Sequence, residues 1–80
     1  MTIHAQPGAP LTAAEIEALN YAANGYTSEQ TARRLGLSRK SILDRTAAAR
    51  RKLGAHSTTH AVVLAYRTGQ LALAAPRSAA

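Results

Sequence analysis

Residues 27–54 read TSEQTARRLGLSRKSILDRTAAARRKLG, and this stretch decides the fold. Gly36 and Gly54 punctuate it, each following a leucine at the end of a run with helical spacing, where a left-handed residue is needed to stop a helix. Thr27 or Ser28 caps a short helix whose Thr31, Ala32 and Leu35 face inward, and Ser38 caps a longer one. At about 100° per residue, Ile42, Thr46, Ala49 and Leu53 of the longer helix share one sector and form its buried face. Lys40, Ser41, Asp44, Ala47, Ala48 and Arg51 fall on the opposite side. Arg45 and Lys52 lie on one flank, and Arg39, Leu43 and Arg50 on the other. A short helix, a tight Gly36-Leu37-Ser38 connection and a longer helix make a helix-turn-helix.

Working outward, Thr12 caps an upstream helix of about 13–24, with Glu15 three residues on as a capping box. Ala18, Leu19, Ala22 and Ala23 are its apolar stripe and Gly25 its stop. Downstream, Ser57 or Thr58 caps a fourth helix with Ala61, Val62 and Ala65 inside and Gly69 as its stop. Residues 1–10, with Pro7, Gly8 and Pro10, read as a flexible arm, and the Ala-rich residues 72–80, broken by Pro76, as a tail. The expectation is an all-α, four-helix domain over residues 11–71 with flexible ends.

The chain has 80 residues, 46% of them apolar, with three tyrosines as its only aromatics and no cysteine. One small domain fits that length, held by helix packing and helped by oligomerisation, without disulfides or a thiolate zinc site. The net charge of +6 is unevenly spread. Residues 1–32 hold Glu15, Glu17 and Glu29 with no Lys or Arg, a net −3. Residues 33–52 set Arg33, Arg34, Arg39, Lys40, Arg45, Arg50, Arg51 and Lys52 against Asp44 alone, a net +7. A cationic stripe this concentrated is the electrostatic footprint of a polyanion-binding surface, and the second helix of a helix-turn-helix is the element that enters the DNA major groove.

Several function classes are excluded. No segment approaches the roughly 18 consecutive apolar residues of a membrane span, and no charged n-region precedes an apolar h-region. A cytoplasmic, nucleoid-associated protein without a membrane partner is expected. No nucleophile, base and orienting acid fall into a recognisable arrangement, so no catalytic residue, enzyme activity or cofactor is expected. His56 and His60 have the i, i+4 spacing that can chelate a metal, but with no Cys and no nearby carboxylate they read as surface or capping histidines, as does His4, and no metal is expected.

The order of residues adds a resemblance. Leu11-Thr12-x-x-Glu15-x-Glu17-x-Leu19, Ala23-x-Gly25, Ala32-x-x-Leu35-x-Leu37-Ser38, Ser41-Ile42, Lys52-Leu53-Gly54 and Ala61-Val62-x-x-Ala65 together resemble the LuxR-type (GerE-like) DNA-binding domain over residues 11–71. The resemblance implies a four-helix domain whose third helix, about 38–53, enters the major groove and whose fourth pairs two subunits. It departs where that family touches DNA: the usual basic residue of the opening Thr-x-Arg-Glu run is Ala14. The usual Ser-Asn-Lys-Glu-Ile opening of helix 2 reads Thr27-Ser28-Glu29-Gln30-Thr31. Thr-Val-Lys-x-His becomes Ser41-Ile42-Leu43-Asp44-Arg45, so Leu43 replaces a Lys and Arg45 a His.

The expected DNA-contacting residues are Thr27 and Ser28 at a helix start, Ser38, Arg39, Lys40 and Ser41 opening the recognition helix, and Arg45, Arg51 and Lys52 gripping the backbone further along. Asp44 shares the exposed face, either as a solvated partner of Lys40 or Arg51, or as an acceptor for a cytosine N4. His60, Val63, Tyr66 and Arg67 form the outer face of helix 4, where Val63 and Tyr66 are candidates for a homodimer contact. A stand-alone, homodimeric transcription regulator on a pseudo-palindromic double-stranded site follows, controlled by its abundance or a partner, because these residues include no receiver or ligand-binding domain. Two other readings exist. Ser38 to Leu53 also looks like the last DNA-reading region of bacterial sigma factors, which ends soon after this helix, whereas here a fourth helix follows. Leu43, Asp44 and the Ala47-Ala48-Ala49 run also suit a protein-binding adaptor that modulates a transcription regulator or a polymerase component.

Overall fold

The computed structural model describes residues 8–71, which form helices α1 (Ala13–Ala23), α2 (Ser28–Leu35), α3 (Arg39–Leu53) and α4 (Thr58–Arg67), with no strand among the described residues. The all-α, four-helix expectation is met. Residues 1–7 of the expected arm and the whole tail of residues 72–80 lie outside the described residues.

Local chemistry sets the helix ends. Thr12 Oγ1 accepts from Glu15 N–H at 3.1 Å while Glu15 Oε1 accepts from Thr12 N–H at 2.9 Å, the reciprocal capping box. The same device resolves the choice at α2: Thr27 is the cap, because Gln30 three residues on returns the bond to Thr27 N–H at 2.9 Å. Ser38 caps α3, and Ser57 rather than Thr58 caps α4. At the far ends, Gly36 and Gly54 take left-handed conformations with φ of 68° and 67°. They let Leu37 N–H reach Ala32 O and Ala55 N–H reach Arg50 O, both at 2.9 Å. These bonds satisfy carbonyls that a helix end otherwise leaves orphaned.

Helices α1, α3 and α4 pack on one another, and α2 lies on α3 and more lightly on α1. Leu19, Ala49, Ala61 and Ala65 are wholly buried at the centre, with Leu11 and Leu71 closing the cluster. Alanine at the crossing points of α3 and α4 lets the helix axes approach closely, the packing open to a chain with so few large side chains. α1 buries a wider sector than its expected stripe. Tyr21 is 1% exposed, whereas Ala22 and Ala23 are only half-buried. The Tyr21 ring meets that of Tyr26 edge-on, with centroids 5.1 Å apart. Because α1 packs against both α3 and α4, residues on two adjoining sides of it leave water.

The ends of the domain are tied to each other. Leu11 N–H donates to Gln70 Oε1 at 2.8 Å beside buried Leu11 and Leu71. The expected flexible arm is fastened at its last residues, where Gly8 N–H donates to the Lys52 carbonyl at 2.8 Å and so satisfies a carbonyl in the final turn of α3.

Candidate nucleic-acid interface

α3 is anchored by the face the periodicity identifies: Ile42 is 2% exposed, Ala49 is fully enclosed and Thr46 is buried. Anchoring this face fixes the rotation of the helix, and the opposite face is held out to solvent. Lys40, Asp44 and Arg51 are exposed there and Ser41 is half-buried; Ser38 at the helix start and Arg39 on one flank are exposed, and Arg45 on the other flank is half-buried. One helix therefore brings seven of the expected contact residues together. Thr27 and Ser28, at the start of α2, join them across a shallow groove that they line with Thr31, Leu43, Thr46 and Thr58.

Hydrogen bonding within this surface is largely local. Lys40 Nζ donates to Asp44 Oδ2 at 3.0 Å across one turn, with both side chains mostly in water. Of the two expected partners of Asp44, Lys40 is the one it takes. The Ser38 and Ser41 hydroxyls lie 3.0 Å apart, and Thr46 Oγ1 donates to the Leu43 carbonyl at 3.1 Å.

Lys52 requires a correction. Expected on an exposed flank and gripping the DNA backbone, it instead turns between α3 and α1. Its Nζ donates to Glu15 Oε1 at 2.8 Å, and the two side chains are 12% and 10% exposed. Burial pushes the Glu15 carboxyl up, but the Lys52 ammonium and the Thr12 N–H together hold it below its ordinary value. Lys52 thus leaves the set of cations open to a phosphate. Its position on the α3 flank gave no sign of this, since the acid that receives it stands 37 residues earlier.

Sequence reasoning also passed over an aromatic and cationic corner on α2. The Arg34 guanidinium stands over the Tyr26 ring at 5.0 Å. On α4, Val63 is 42% and Tyr66 54% exposed. Arg67 is exposed and His60 half-buried on the same helix. Val63 lines a second groove with Ala22, Ala23 and Val62. His60 serves the start of α4: its Nδ1 accepts from His56 N–H at 3.0 Å, and the two imidazoles stack.

With this geometry, residues 9–65 match the GerE family, described as bacterial regulatory proteins, luxR family. The solved structure of the transcription factor GerE is similar at a TM-score of 0.75 and 25% identity, over 80% of this chain and 96% of that one. VqmA bound to DPO is similar at a TM-score of 0.70 and 32% identity, over 86% of this chain and 34% of that one. The Vibrio cholerae VqmA–ligand–DNA complex is similar at 0.71 and 28%, over 98% of this chain and 34% of that one. The chain thus spans about a third of the VqmA chains it matches. No curated protein is significantly similar to it in sequence. On the family match across most of its length and on the helix-turn-helix that carries it, the chain belongs to the luxR family of bacterial regulatory proteins, which are DNA-binding transcription regulators and not enzymes.

Proposed function

We propose that the protein binds double-stranded DNA sequence-specifically as a homodimer and regulates transcription from a pseudo-palindromic site. Residues 11–71 are its DNA-binding domain, α3 lies in the major groove, and two copies meet through α4. One observation carries this reading. α3 turns Ile42 and Ala49 wholly inward while Lys40 and Arg51 stand in solvent on its other side and Arg39 on its flank, so the helix offers a cationic face on a rigid base. The similar VqmA–ligand–DNA complex is consistent with it.

In this arrangement Ser38, Arg39, Lys40 and Ser41 meet phosphates or base edges at the start of α3, and Arg45 and Arg51 hold the backbone further along. Thr27 and Ser28 present a helix N-terminus to a phosphate. Asp44 shares this face as the exposed partner of Lys40, which it can release to a phosphate. His60, Val63, Tyr66 and Arg67 face the second copy, and a two-fold dimer reads two half-sites related by the same symmetry. Such a protein works in the cytoplasm on the nucleoid.

The test is selection of sheared source-genome DNA by the purified protein at near-physiological salt, beside an Arg45→Ala, Arg51→Ala variant. A two-fold symmetric sequence, enriched by the protein and lost by the variant, is the expected result. With about 8 phosphates neutralised per dimer, log affinity falls against log salt with a slope near −7. Uniform recovery and a flat salt response would overturn the reading in favour of a protein-binding adaptor. Leu37 and Leu43, 36% and 39% exposed, are the observation that favours this second reading.

A further inference from the structure

Leu43 is 39% exposed, the one large apolar side chain on α3 among the described residues that stands so far into water. Ala47, one turn on, continues the same side of the helix, and by helical spacing Arg39, Lys40, Arg50 and Arg51 border it. At 39% exposed, Leu43 is covered on its inner side and open on its outer one, and inside a cationic border that outer side is available to an apolar group on an anionic molecule. Leu43 also lines the groove shared with Thr27, Thr31 and Thr46.

The polar groups around it have already turned elsewhere. The Asp44 carboxylate takes the Lys40 ammonium, the Ser41 hydroxyl is 3.0 Å from that of Ser38, and the Thr46 hydroxyl donates to the Leu43 carbonyl. Beside the exposed Lys40–Asp44 pair, this flank of α3 turns the methyl groups of Leu43 outward, with half-buried Ala47 next to them. Among the base edges of the major groove, only thymine carries a methyl group to match them.

We propose that Leu43, with Ala47 beside it, is a specificity-determining residue that reads thymine through its 5-methyl group. The bordering cations bring the helix to the phosphates, and Leu43 sets one base of each half-site. This rests on the DNA-binding reading above and names what that same surface selects.

The experiment uses the full chain and the duplex recovered by the genomic selection, prepared in two forms. One contains thymidine, and the other has deoxyuridine at every thymidine position, which removes the 5-methyl groups and leaves each Watson–Crick pair and phosphate in place. The unaltered protein is expected to bind the uracil form about fourfold more weakly if it covers one methyl group, or about fifteenfold if each half of the dimer covers one. Leu43→Ala is expected to bind both forms alike, close to the value of the unaltered protein on uracil. Its far-UV circular dichroism stays unchanged, because the side chain is exposed. Leu43→Lys, which supplies a donor at the same place, is expected to select guanine where the unaltered protein selects thymine. Equal binding of the two forms by the unaltered protein overturns the proposal while leaving DNA binding intact, and so does a thymine preference retained by Leu43→Ala. Failure of the selection to enrich any sequence overturns the DNA reading and this proposal together.

Discussion

Lys40–Asp44 and Lys52–Glu15 are ion pairs of nearly equal length, 3.0 and 2.8 Å, with both lysines on α3. In the first, the side chains are 83% and 66% exposed and one helical turn apart; in the second they are 12% and 10% exposed and join two helices. Distance alone therefore says little about what an ion pair does. Two charges near 4 Å attract by about 1 kcal/mol in bulk water and about 4 kcal/mol in the environment typical of a protein surface. The buried pair also has no water to fall back on, so removing one member strands the other. Lys52 and Glu15 are structural: the same Glu15 oxygen accepts from Lys52 and from the Thr12 N–H that begins α1. Lys40 and Asp44 stand on the open face proposed to meet DNA, where each can exchange partners at little expense.

The comparison can be broken from its strong end first. Lys52→Ala is expected to destabilise the domain by about 3 kcal/mol in urea unfolding, since it leaves the Glu15 carboxylate enclosed without its cation. The double variant Lys52→Met, Glu15→Gln keeps the packing of the stem, removes the stranded charge and is expected to cost clearly less; a double variant as unstable as the single one would mean that the charge-assisted bond itself, not the stranding of Glu15, is what the domain loses.

A smaller effect comes from pH. The Glu15 carboxyl is held below its ordinary value of 4.5 in the folded protein. The unfolded chain therefore takes up its proton first, and the pair's contribution to stability is complete above that value and lost as pH falls through the lower, folded one. Thermal unfolding followed between about pH 6 and 3 should decline more steeply in the unaltered protein than in Glu15→Gln. Parallel declines would assign the acid sensitivity to other carboxylates.

The smallest effect belongs to the exposed pair. Asp44→Ala is expected to change stability by no more than about 0.5 kcal/mol. Under the proposed function it also strengthens binding to any duplex, because it removes a negative charge from the face that meets phosphate and releases Lys40. Fluorescence anisotropy with an arbitrary duplex measures this, and weaker binding would mean that Asp44 positions Lys40 against the DNA.

Much of the fold was legible because its signals are short-ranged. Thr12 with Glu15, Ser38 before the basic helix, and glycines at 36 and 54 each act over three to six residues, the reach of a cap or a helix stop. Ile42, Thr46 and Ala49 were legible for a related reason, since one helix repeats its own face. Tyr21 was not, because its burial depends on α1 having two packing partners and not one. The closure of Leu11 onto Gln70 spans 59 positions and follows no local rule.

The candidate site divides along the same line. By itself the sequence determined that a capped basic helix would lie with Ile42 inward and Lys40, Asp44 and Arg51 outward, since periodicity is a property of one helix. Only the tertiary structure decided the fate of the flank. Lys52 lies about 80° from the buried centre of α3, where a long side chain can reach either solvent or a neighbouring helix. The crossing of α1 over α3 set Glu15 within 2.8 Å of it and made it part of the interior. A helix's own sequence fixes which residues share a side, but which of its borders is covered depends on where another helix packs.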